Sequence, residues 1–363
     1  MIHWQESAEV FERLAEVAAR GGSAALATVV RVSGSAYRRP GAKLLVTGGG
    51  ASLGGVSGGC LEADVREVAA KVLAGAEPRL LHYDTSGGDD DVLGLGLGCR
   101  GRVEVFVQPA TDGPLADLAS AWRRRLAADA PFAAVTALTG SDEAGTAAGA
   151  TALFAADGRD GSLGAALDSA VAARLDGWLE GGAASSHEFD GGLLFVEVLS
   201  PPPHLVVCGA GDDAVPLVAL AAEAGFRVRV ADHRPALVTA ERFPAAAAFA
   251  AVRPESDDLE LPPAERSLAV VMTHSLAHDR AWTRRLLAAG FPYVGQLGPR
   301  ERTREIRDEI GAEGDGRLHG PVGLDLGADG PRQVAISIVA ELLAVVSGRR
   351  PRHLSERLEA IHA

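Results

Sequence analysis

Residues 204–214 read His-Leu-Val-Val-Cys-Gly-Ala-Gly-Asp-Asp-Ala, an apolar run followed by the spacing Gly-x-Gly-x-x-Ala. In this pattern Gly209 makes a tight turn, Gly211 lets a pyrophosphate approach the backbone, and Ala214 packs a helix on the strand. Asp232 ends the next predicted strand, 21 residues after Gly211, where a dinucleotide fingerprint places the carboxylate that binds ribose hydroxyls. The stretch predicts a dinucleotide-binding β-α-β unit. A Rossmann fold without a bound nucleotide has the same pattern.

Three charged residues bear on what this turn would bind. Arg234 follows Asp232 closely and suits a 2′-phosphate, as in NADP sites. Asp212 and Asp213 place two carboxylates in the first helical turn, where they satisfy the helix dipole themselves and repel a bound anion. Both a binding and a non-binding turn therefore remain open.

Alternation of apolar strands and amphipathic helices continues along the C-terminal half of the chain. It predicts a Rossmann-like, doubly wound parallel sheet over residues 201–350, followed by a C-terminal tail over residues 351–363. Three prolines at 201–203 form a stiff linker and mark the boundary with the N-terminal half. In such a sheet, ligands bind at the carboxyl ends of the strands.

A repeated plan lies in residues 1–200, the predicted glycine-rich N-terminal α/β domain. A glycine–serine pair at 34–35 recurs 106 residues later, and a glycine–alanine pair at 41–42 recurs 108 residues later. A helix and a closing strand follow both sets. We interpret this as an internal duplication of a β-β-α-β plan, over about 24–109 and 131–200. The alternative is chance similarity between two α/β stretches.

The first copy carries a loop that the second lacks. Ser57, Gly58, Gly59 and Cys60 run directly into a predicted helix. Two glycines let successive amides point into one concavity, and the helix start adds positive potential. An anion and a thiolate at Cys60 are both favoured there. The alternative is a buried cysteine in a tight strand–helix turn.

Further residues of the first copy support a binding role for this loop. Arg38 and Arg39 lie on a turn and can form a fork for phosphate. Cys99 ends a second glycine-rich segment in the same copy. With two such cysteine loops in one copy, a binding role and a structural role are equally open. Cys208, by contrast, lies inside the first Rossmann strand and is predicted to be structural.

Two histidines follow the predicted strand over residues 268–272. His274 would lie at the carboxyl end of that strand, where it can donate to an anionic ligand or relay a proton. A capping role for the next helix is equally compatible with His274 and fits His278 better. Aspartates 89–91 lie on a glycine-rich loop and are expected to be solvated, so we predict no metal site.

Composition excludes several classes of function. The 363 residues carry a net charge of −13, which disfavours non-specific binding to nucleic acid or to anionic membranes. No window is apolar enough to span a membrane, and the N-terminus has no secretory pattern. Three cysteines are too few for a disulfide scaffold. We therefore expect a cytoplasmic protein.

Together these motifs resemble the XdhC/CoxI family, accessory proteins of xanthine dehydrogenase and related molybdenum hydroxylases. The resemblance spans nearly the whole chain, in the order of the family. One departure is Arg100, where relatives tend to have glycine after the cysteine. The stretches that carry the resemblance are Gly34-Ser-Ala-Tyr-Arg-Arg-Pro-Gly-Ala42, Gly54-Gly-Val-Ser-Gly-Gly-Cys-Leu-Glu-Ala-Asp64, Phe195-Val-Glu-Val-Leu199, Gly209–Ala214, Asp232-His-Arg-Pro235, Met272-Thr-His274, Tyr293-Val-Gly-Gln-Leu-Gly298 and Gly323-Leu-Asp-Leu-Gly327.

The resemblance implies a maturation chaperone and not a turnover enzyme. Such a protein would bind the molybdenum cofactor, as molybdopterin or its dinucleotide, protect it during sulfuration and deliver it to an apo-hydroxylase. A cysteine desulfurase is the implied sulfur donor, Cys60 and Cys99 are the candidate sulfur-handling residues, and a homodimer is expected. The alternative is an NAD(P)-dependent oxidoreductase that uses Asp232 and His274.

Overall fold

The computed structural model describes residues 2–34, 36–75, 77–84, 101–182, 184–189, 192–256, 258 and 260–357. The chain divides into two compact units. One is formed by residues 202–353, and the other by residues 2–201 with the C-terminal segment.

The N-terminal unit begins with a helix and the first copy of the repeated plan. An antiparallel five-stranded sheet has the order β3-β2-β1-β5-β4. Its elements are α1 (Ile2–Ala19), β1 (Ala24–Gly34), β2 (Lys43–Thr47), β3 (Ser52–Gly54), α2 (Glu62–Leu73), β4 (Arg79–Asp84) and β5 (Gly101–Pro109).

The second copy follows two short helices and has the same topology. Its antiparallel sheet has the order β8-β7-β6-β10-β9. The elements are α3 (Pro114–Asp117), α4 (Ala119–Ala127), β6 (Phe132–Ala137), β7 (Thr151–Ala155), β8 (Gly158–Gly161), α5 (Ala165–Ala172), α6 (Leu175–Gly181), β9 (Ala184–Phe189) and β10 (Gly192–Leu199).

Each copy is longer than the predicted β-β-α-β plan. β3 and β8 are only three and four residues long, and β4 and β9 have no fully buried residue. Their sequences lack the apolar run on which the prediction depended. The single helix predicted in the second copy is divided into α5 and α6.

A shared core fills the space between the two sheets. Phe11 of α1 stacks on Trp122 of α4 at 4.0 Å between ring centroids, and Phe132 of β6 meets the same indole edge to face at 5.5 Å. These residues belong to one cluster with Leu45 of β2 and Leu153 of β7. Helix α2 covers the opposite face of the first sheet, and α5 that of the second.

The C-terminal unit is a six-stranded parallel sheet of order β13-β12-β11-β14-β15-β16. Its central strands are continuous apolar runs because helices bury both faces. The elements are β11 (His204–Cys208), α7 (Ala214–Glu223), β12 (Arg227–Asp232), β13 (Ala248–Ala251), β14 (Ser267–Val271), α8 (Leu276–Ala288), β15 (Tyr293–Gln296), α9 (Arg300–Ile310), β16 (Leu318–His319) and α10 (Pro331–Val346).

This sheet confirms the predicted doubly wound fold. The strand order reverses between β11 and β14, so their carboxyl ends flank the crevice in which such folds bind ligands. Helix α9 was not predicted because charged residues fill most of its positions. Within the described residues, no helix has both the length and the apolar character that crossing a membrane requires.

Candidate functional site

The turn between β11 and α7 packs against the end of β14. Gly209 has φ +121°, and a Cβ there would lie 2.5 Å from the carbonyl oxygen of Met272. Only glycine fits this position. A Cβ on Gly211 would lie 3.6 Å from Nε2 of His274, so the imidazole lies over this glycine. The structure thus brings Gly209, Gly211 and His274 together at the reversal of strand order.

His274 occupies a costly backbone conformation. Its φ is +60°, and no other non-glycine residue in the described part of the chain has a positive φ. The left-handed region costs a residue with a Cβ about 1–2 kcal/mol. Nε2 lies 3.4 Å from Oδ2 of Asp213, and 61% of the His274 side chain is exposed. An exposed imidazole beside a carboxylate therefore occupies a backbone position whose conformation glycine would adopt at lower cost.

A buried carboxylate holds the segment around His274. Asp279 of α8 is fully buried and accepts hydrogen bonds from Oγ1 of Thr273 at 2.5 Å and from its amide at 3.1 Å. It also accepts from Nε2 of Gln296 and Nε of Arg302, both at 2.8 Å. Sequence reasoning assigned no role to Asp279, Gln296 or Arg302. Their positions along the chain gave no sign that they meet, because Asp279 lies on α8, Gln296 on β15 and Arg302 on α9.

Asp232 is buried at the end of β12, and its oxygens are already engaged. They accept hydrogen bonds from the amide of Ala210 at 2.8 Å and from the amide, Nε and NH2 of Arg234 at 2.8–2.9 Å. Burial raises the pKa of Asp232, but these donors outweigh it and lower the pKa to about 2. Ribose binding by Asp232 stays a prediction, and it requires Arg234 to move. Arg234 itself faces Asp232, so the same movement would be needed to bind a 2′-phosphate.

The sequence predicted Asp212 and Asp213 in the first helical turn, but α7 begins at Ala214, so Asp213 is its N-cap residue and Asp212 precedes it. Both carboxylates have cationic or polar neighbours. Arg242 lies 2.5 Å from Oδ1 of Asp212, and His274 faces Asp213. Opposite charge beside Asp212 weakens its repulsion of an anion at the turn. The repulsion expected from the sequence is therefore partly neutralised.

The loop before α2 is organised around Glu62. One oxygen of this carboxylate accepts from the amides of Val56 at 3.2 Å and Ser57 at 2.8 Å, and the other accepts from the Ser57 hydroxyl. The Ser57 hydroxyl oxygen accepts from the amides of Gly59 and Leu61, both at 3.1 Å. Within the predicted anion loop, the amides of Ser57 and Gly59 are thus satisfied by the protein itself, as are those of the flanking Val56 and Leu61.

Burial and hydrogen bonding act in opposite directions on Glu62. Burial raises the pKa of its carboxyl group. The hydrogen bonds from Ser57 and the neighbouring amides lower the pKa by more than burial raises it, so the net pKa lies below its usual value. Sequence reasoning missed Glu62. Its spacing of five residues from Ser57 differs from the Ser-x-x-Glu capping box, so no local motif marked it.

The second copy repeats this arrangement. Ser162 donates to Asp168 at 2.5 Å, the Leu163 amide donates to the same carboxylate at 2.8 Å, and the Gly164 amide donates to the Ser162 hydroxyl at 3.1 Å. Arg159 also pairs with Asp168. The serine–acid arrangement therefore belongs to the duplicated scaffold.

Residues specific to the first copy lie around this scaffold loop. A Cβ on Gly58 would lie 3.6 Å from the ring of Tyr37, which is 71% exposed, and Cys60 is partly buried against the core of the first copy. Arg38 forms an ion pair with Glu6 at 2.5 Å, and Arg39 is exposed. The predicted turn and loop are thus neighbours. Gly59 has φ +113°.

The remaining candidates are of three kinds. Cys99 and Arg100 lie outside the described residues. Cys208 is fully buried in β11, and burial raises the pKa of its thiol well above the usual value. Across the described ranges, no three His, Cys, Asp or Glu side chains are placed to hold a metal ion.

Both halves of the chain match families of known proteins. Residues 205–342 match the XdhC Rossmann domain, and residues 17–84 match the XdhC and CoxI family. The second match covers the first copy from β1 to β4, including the Ser57–Cys60 loop, and ends before β5.

Relatives along the full length of the chain support these matches. The chain is 32% identical over 323 residues to a probable xanthine dehydrogenase subunit from Bacillus subtilis, and the match covers 88% of this chain and 92% of that protein. A crystal structure of a xanthine dehydrogenase from Bacillus halodurans superposes with a TM-score of 0.77 at 29% identity, over 95% of this chain and 97% of that chain. An uncharacterized protein of Escherichia coli is 30% identical over 42% of this chain and 29% of its own length.

Proposed function

Because this chain belongs to the XdhC and CoxI family, we propose that it acts in the maturation of a xanthine dehydrogenase-type molybdenum hydroxylase. In this proposal the molybdenum cofactor is cargo. The protein holds it, protects it while its terminal sulfido ligand is installed, and delivers it to the apo-hydroxylase. The names of two relatives, both xanthine dehydrogenase proteins, support the choice of client.

The observation that carries the proposal is the contact of His274 with the Gly211 turn. The cargo bears a phosphate, or a pyrophosphate in its dinucleotide form. A glycine turn without a side chain admits such a group to backbone amides at the start of α7, and the exposed imidazole can donate to it. We assign the phosphate end of the cargo to Gly209, Gly211 and His274.

Within the N-terminal unit, residues of the first copy are separate candidates for binding the cargo. Two of the four amides of the Ser57–Cys60 loop, those of Ser57 and Gly59, already bond to Glu62 and to the Ser57 hydroxyl, so we assign contacts there to the side chains around the loop. Arg38 and Arg39 supply positive charge. Arg38 must exchange Glu6 for the ligand.

Sulfur handling is assigned to cysteine. Cys60, and Cys99 outside the described residues, can each carry a persulfide from a cysteine desulfurase, provided that the thiolate forms. Replacing each by alanine, singly and together, tests this assignment. Unchanged sulfuration of the client by the double variant would exclude both cysteines.

The NAD(P)-dependent oxidoreductase is not favoured. A nicotinamide dinucleotide would need the oxygens of Asp232, and these are engaged by Ala210 and Arg234. Analysis of the molecules bound to anaerobically purified protein distinguishes the two functions. Bound molybdenum and pterin support the cargo role, whereas stoichiometric NAD(H) without molybdenum would support the oxidoreductase.

Co-expression with the candidate apo-hydroxylase is the direct test. Client activity and client molybdenum content are measured with the wild-type protein, with the His274→Ala variant and without either. We expect activity to depend on the wild-type protein and to fall with the variant. Full client activity in the absence of the protein would exclude a maturation role for that client.

A further inference from the structure

The two neighbours of His274 are both bonded to one buried residue, Asp279. Its Oδ1 accepts hydrogen bonds from the amide of Thr273 at 3.1 Å and from the Thr273 hydroxyl at 2.5 Å. The amide of Asp279 donates to the carbonyl oxygen of Ser275 at 2.8 Å. The Ser275 amide in turn donates to the Thr273 hydroxyl oxygen at 3.2 Å. The residues before and after His274 are therefore held by the same side chain and backbone, and by each other.

These bonds differ from ordinary capping of a helix start. Ser275 is the N-cap residue of α8, and its side chain accepts a hydrogen bond from the amide of His278. In a capping box, an acid of the first turn returns to the amide of the N-cap residue itself. The Asp279 carboxylate instead reaches two residues further back, to the amide of Thr273. It thus fixes the segment that precedes the helix, where His274 has a φ of +60°.

The second carboxylate oxygen anchors Asp279 to two further elements of the unit. Oδ2 accepts from Nε2 of Gln296 on β15 and from Nε of Arg302 on α9, both at 2.8 Å. Asp279 and Gln296 are fully buried. Replacing a buried ion pair by apolar side chains is often neutral for stability, so stability alone does not explain this pair. The pair does supply a carboxylate that is fixed through one oxygen while the other bonds to Thr273.

The backbone conformation of His274 needs such support. A non-glycine residue at positive φ persists only where the surrounding contacts over-determine it, and such residues cluster at functional sites. If the bonds to Thr273 are lost, the segment can relax to a negative φ, which is the allowed range for a residue with a Cβ. That change turns the Cα–Cβ bond of His274, so the imidazole leaves its place over Gly211.

We propose that Asp279 is a positioning residue. Through Thr273 and Ser275 it holds His274 in the left-handed conformation that keeps the imidazole over the Gly211 turn. The side chains bonded to Oδ2 act one step further away, by fixing the carboxylate. The consequence for cargo binding rests on the proposed function, in which His274 donates to the phosphate end of the cargo. The conformation does not depend on that function, so the two are measured separately.

Two variants of the full-length protein remove the support in different ways. Thr273→Val deletes the hydroxyl with little change in shape, and Thr273→Ser keeps the hydroxyl as the conservative comparison. Asp279→Leu/Arg302→Met replaces the whole ion pair, so that no charge is left buried without a partner. Ser267→Ala is the control, because it removes a buried hydroxyl hydrogen bond at the opposite end of β14. Far-ultraviolet circular dichroism verifies that each variant is folded.

Nuclear magnetic resonance of protein labelled with ¹⁵N-histidine measures the conformation. The intraresidue NOE between the amide proton and Hα of His274 is strongest at positive φ, because the two protons are then closest, and the signal is assigned by its absence in His274→Ala. We expect a strong NOE in the wild type, Thr273→Ser and Ser267→Ala, and its marked weakening in Thr273→Val and Asp279→Leu/Arg302→Met. A strong NOE that persists in both of these variants would overturn the proposal.

Pyrophosphate, followed by titration calorimetry, is the probe for the consequence. We expect His274→Ala to raise its dissociation constant roughly tenfold, since a hydrogen bond to a charged group is lost, and Thr273→Val to raise it by a smaller factor. In the His274→Ala background, Thr273→Val should change it by less than about twofold, because a positioning residue acts only through the side chain that it positions. A full, additive effect in that background would overturn the positioning role. Failure of the wild type to bind pyrophosphate would count against the proposed function, and the NOE comparison would still decide the conformation.

Discussion

Nζ of Lys43 lies 2.6 and 2.7 Å from the two carboxylate oxygens of Glu197, and this ion pair joins the two copies of the duplicated fold. The side chains are 3% and 5% exposed. Lys43 and Thr151 occupy equivalent positions, since each pairs with the central threonine of its sheet. The duplicated core thus holds a charge in one copy where the other has a hydroxyl. A buried pair between sheets can fix which faces meet, because any other arrangement buries an unpaired charge.

Removing one partner of this pair should be costly. We expect Lys43→Met to lower the free energy of unfolding at pH 7 by about 3–5 kcal/mol, because it leaves Glu197 buried without a counter-ion. The double variant Lys43→Met/Glu197→Leu should lose much less. Urea denaturation followed by circular dichroism measures both. Thr151→Val, the matched change in the other copy, removes only neutral hydrogen bonds and should cost about 1 kcal/mol.

The Lys43→Met deficit should depend on pH. Burial raises the pKa of Glu197 and Lys43 opposes this effect, so the native pKa rises further when the lysine is removed. A carboxyl group with a raised native pKa destabilises the fold when it is charged, and the cost disappears as pH falls through that pKa. The deficit should therefore be larger at pH 8 than at pH 5. Equal deficits at both values would show that lost packing, and not the buried charge, causes the effect.

Local patterns predicted the parts of this fold that depend on neighbouring residues in the chain. The alternation of apolar strands and helices predicted the parallel sheet, and the apolar run over residues 268–272 predicted that His274 follows the carboxyl end of a strand. That His274 lies over Gly211 is seen only in the structure. Partners supplied by distant elements carried no such signal. Asp279 meets Gln296 and Arg302 only because the fold brings α8, β15 and α9 together. Likewise, Arg234 could be read as a phosphate ligand until its contact with Asp232 was seen.

The Glu62 carboxylate should stabilise the N-terminal unit above its usual pKa. Its native pKa is lowered on balance, so the stabilisation is present above about pH 4.3 and is lost as pH falls through the native pKa. Glu62→Gln weakens the hydrogen bonds from Ser57 and the amides, and should cost about 1–3 kcal/mol at pH 7. Urea denaturation between pH 3 and pH 7 measures the loss. Asp168→Asn, the equivalent change in the second copy, is the matched comparison for the loss at pH 7. A Glu62→Gln deficit that stays constant between pH 3 and pH 7 would contradict this account.

Arg234 should stabilise the fold through Asp232. Arg234→Ala removes the strongest donors to this carboxylate, so its pKa should rise from about 2 toward 3.9. A lowered native pKa stabilises at neutral pH and loses its effect as pH falls toward the native value. The variant should therefore be less stable at pH 7 by about 2 kcal/mol, and the difference should shrink below pH 4. Urea unfolding measures it, and Arg234→Gln, which also lacks the charge, should show the same trend. A difference that grows toward low pH would contradict the pairing.

His274 offers a test that separates function from stability. Glycine at this position removes the strain of a φ of +60° but adds about 0.4–1 kcal/mol of unfolded-state entropy, so His274→Gly should be at least as stable as the wild type. His274→Ala keeps the strain and should be the less stable of the two variants. Activation of the client hydroxylase should fall in both, because both lack the imidazole. Thermal unfolding ranks stability, and client activity in co-expression ranks function. A glycine variant that activates the client fully would show that the backbone turn suffices, whereas a stable glycine variant without activity would establish that the chain tolerates strain at His274 for the sake of its side chain.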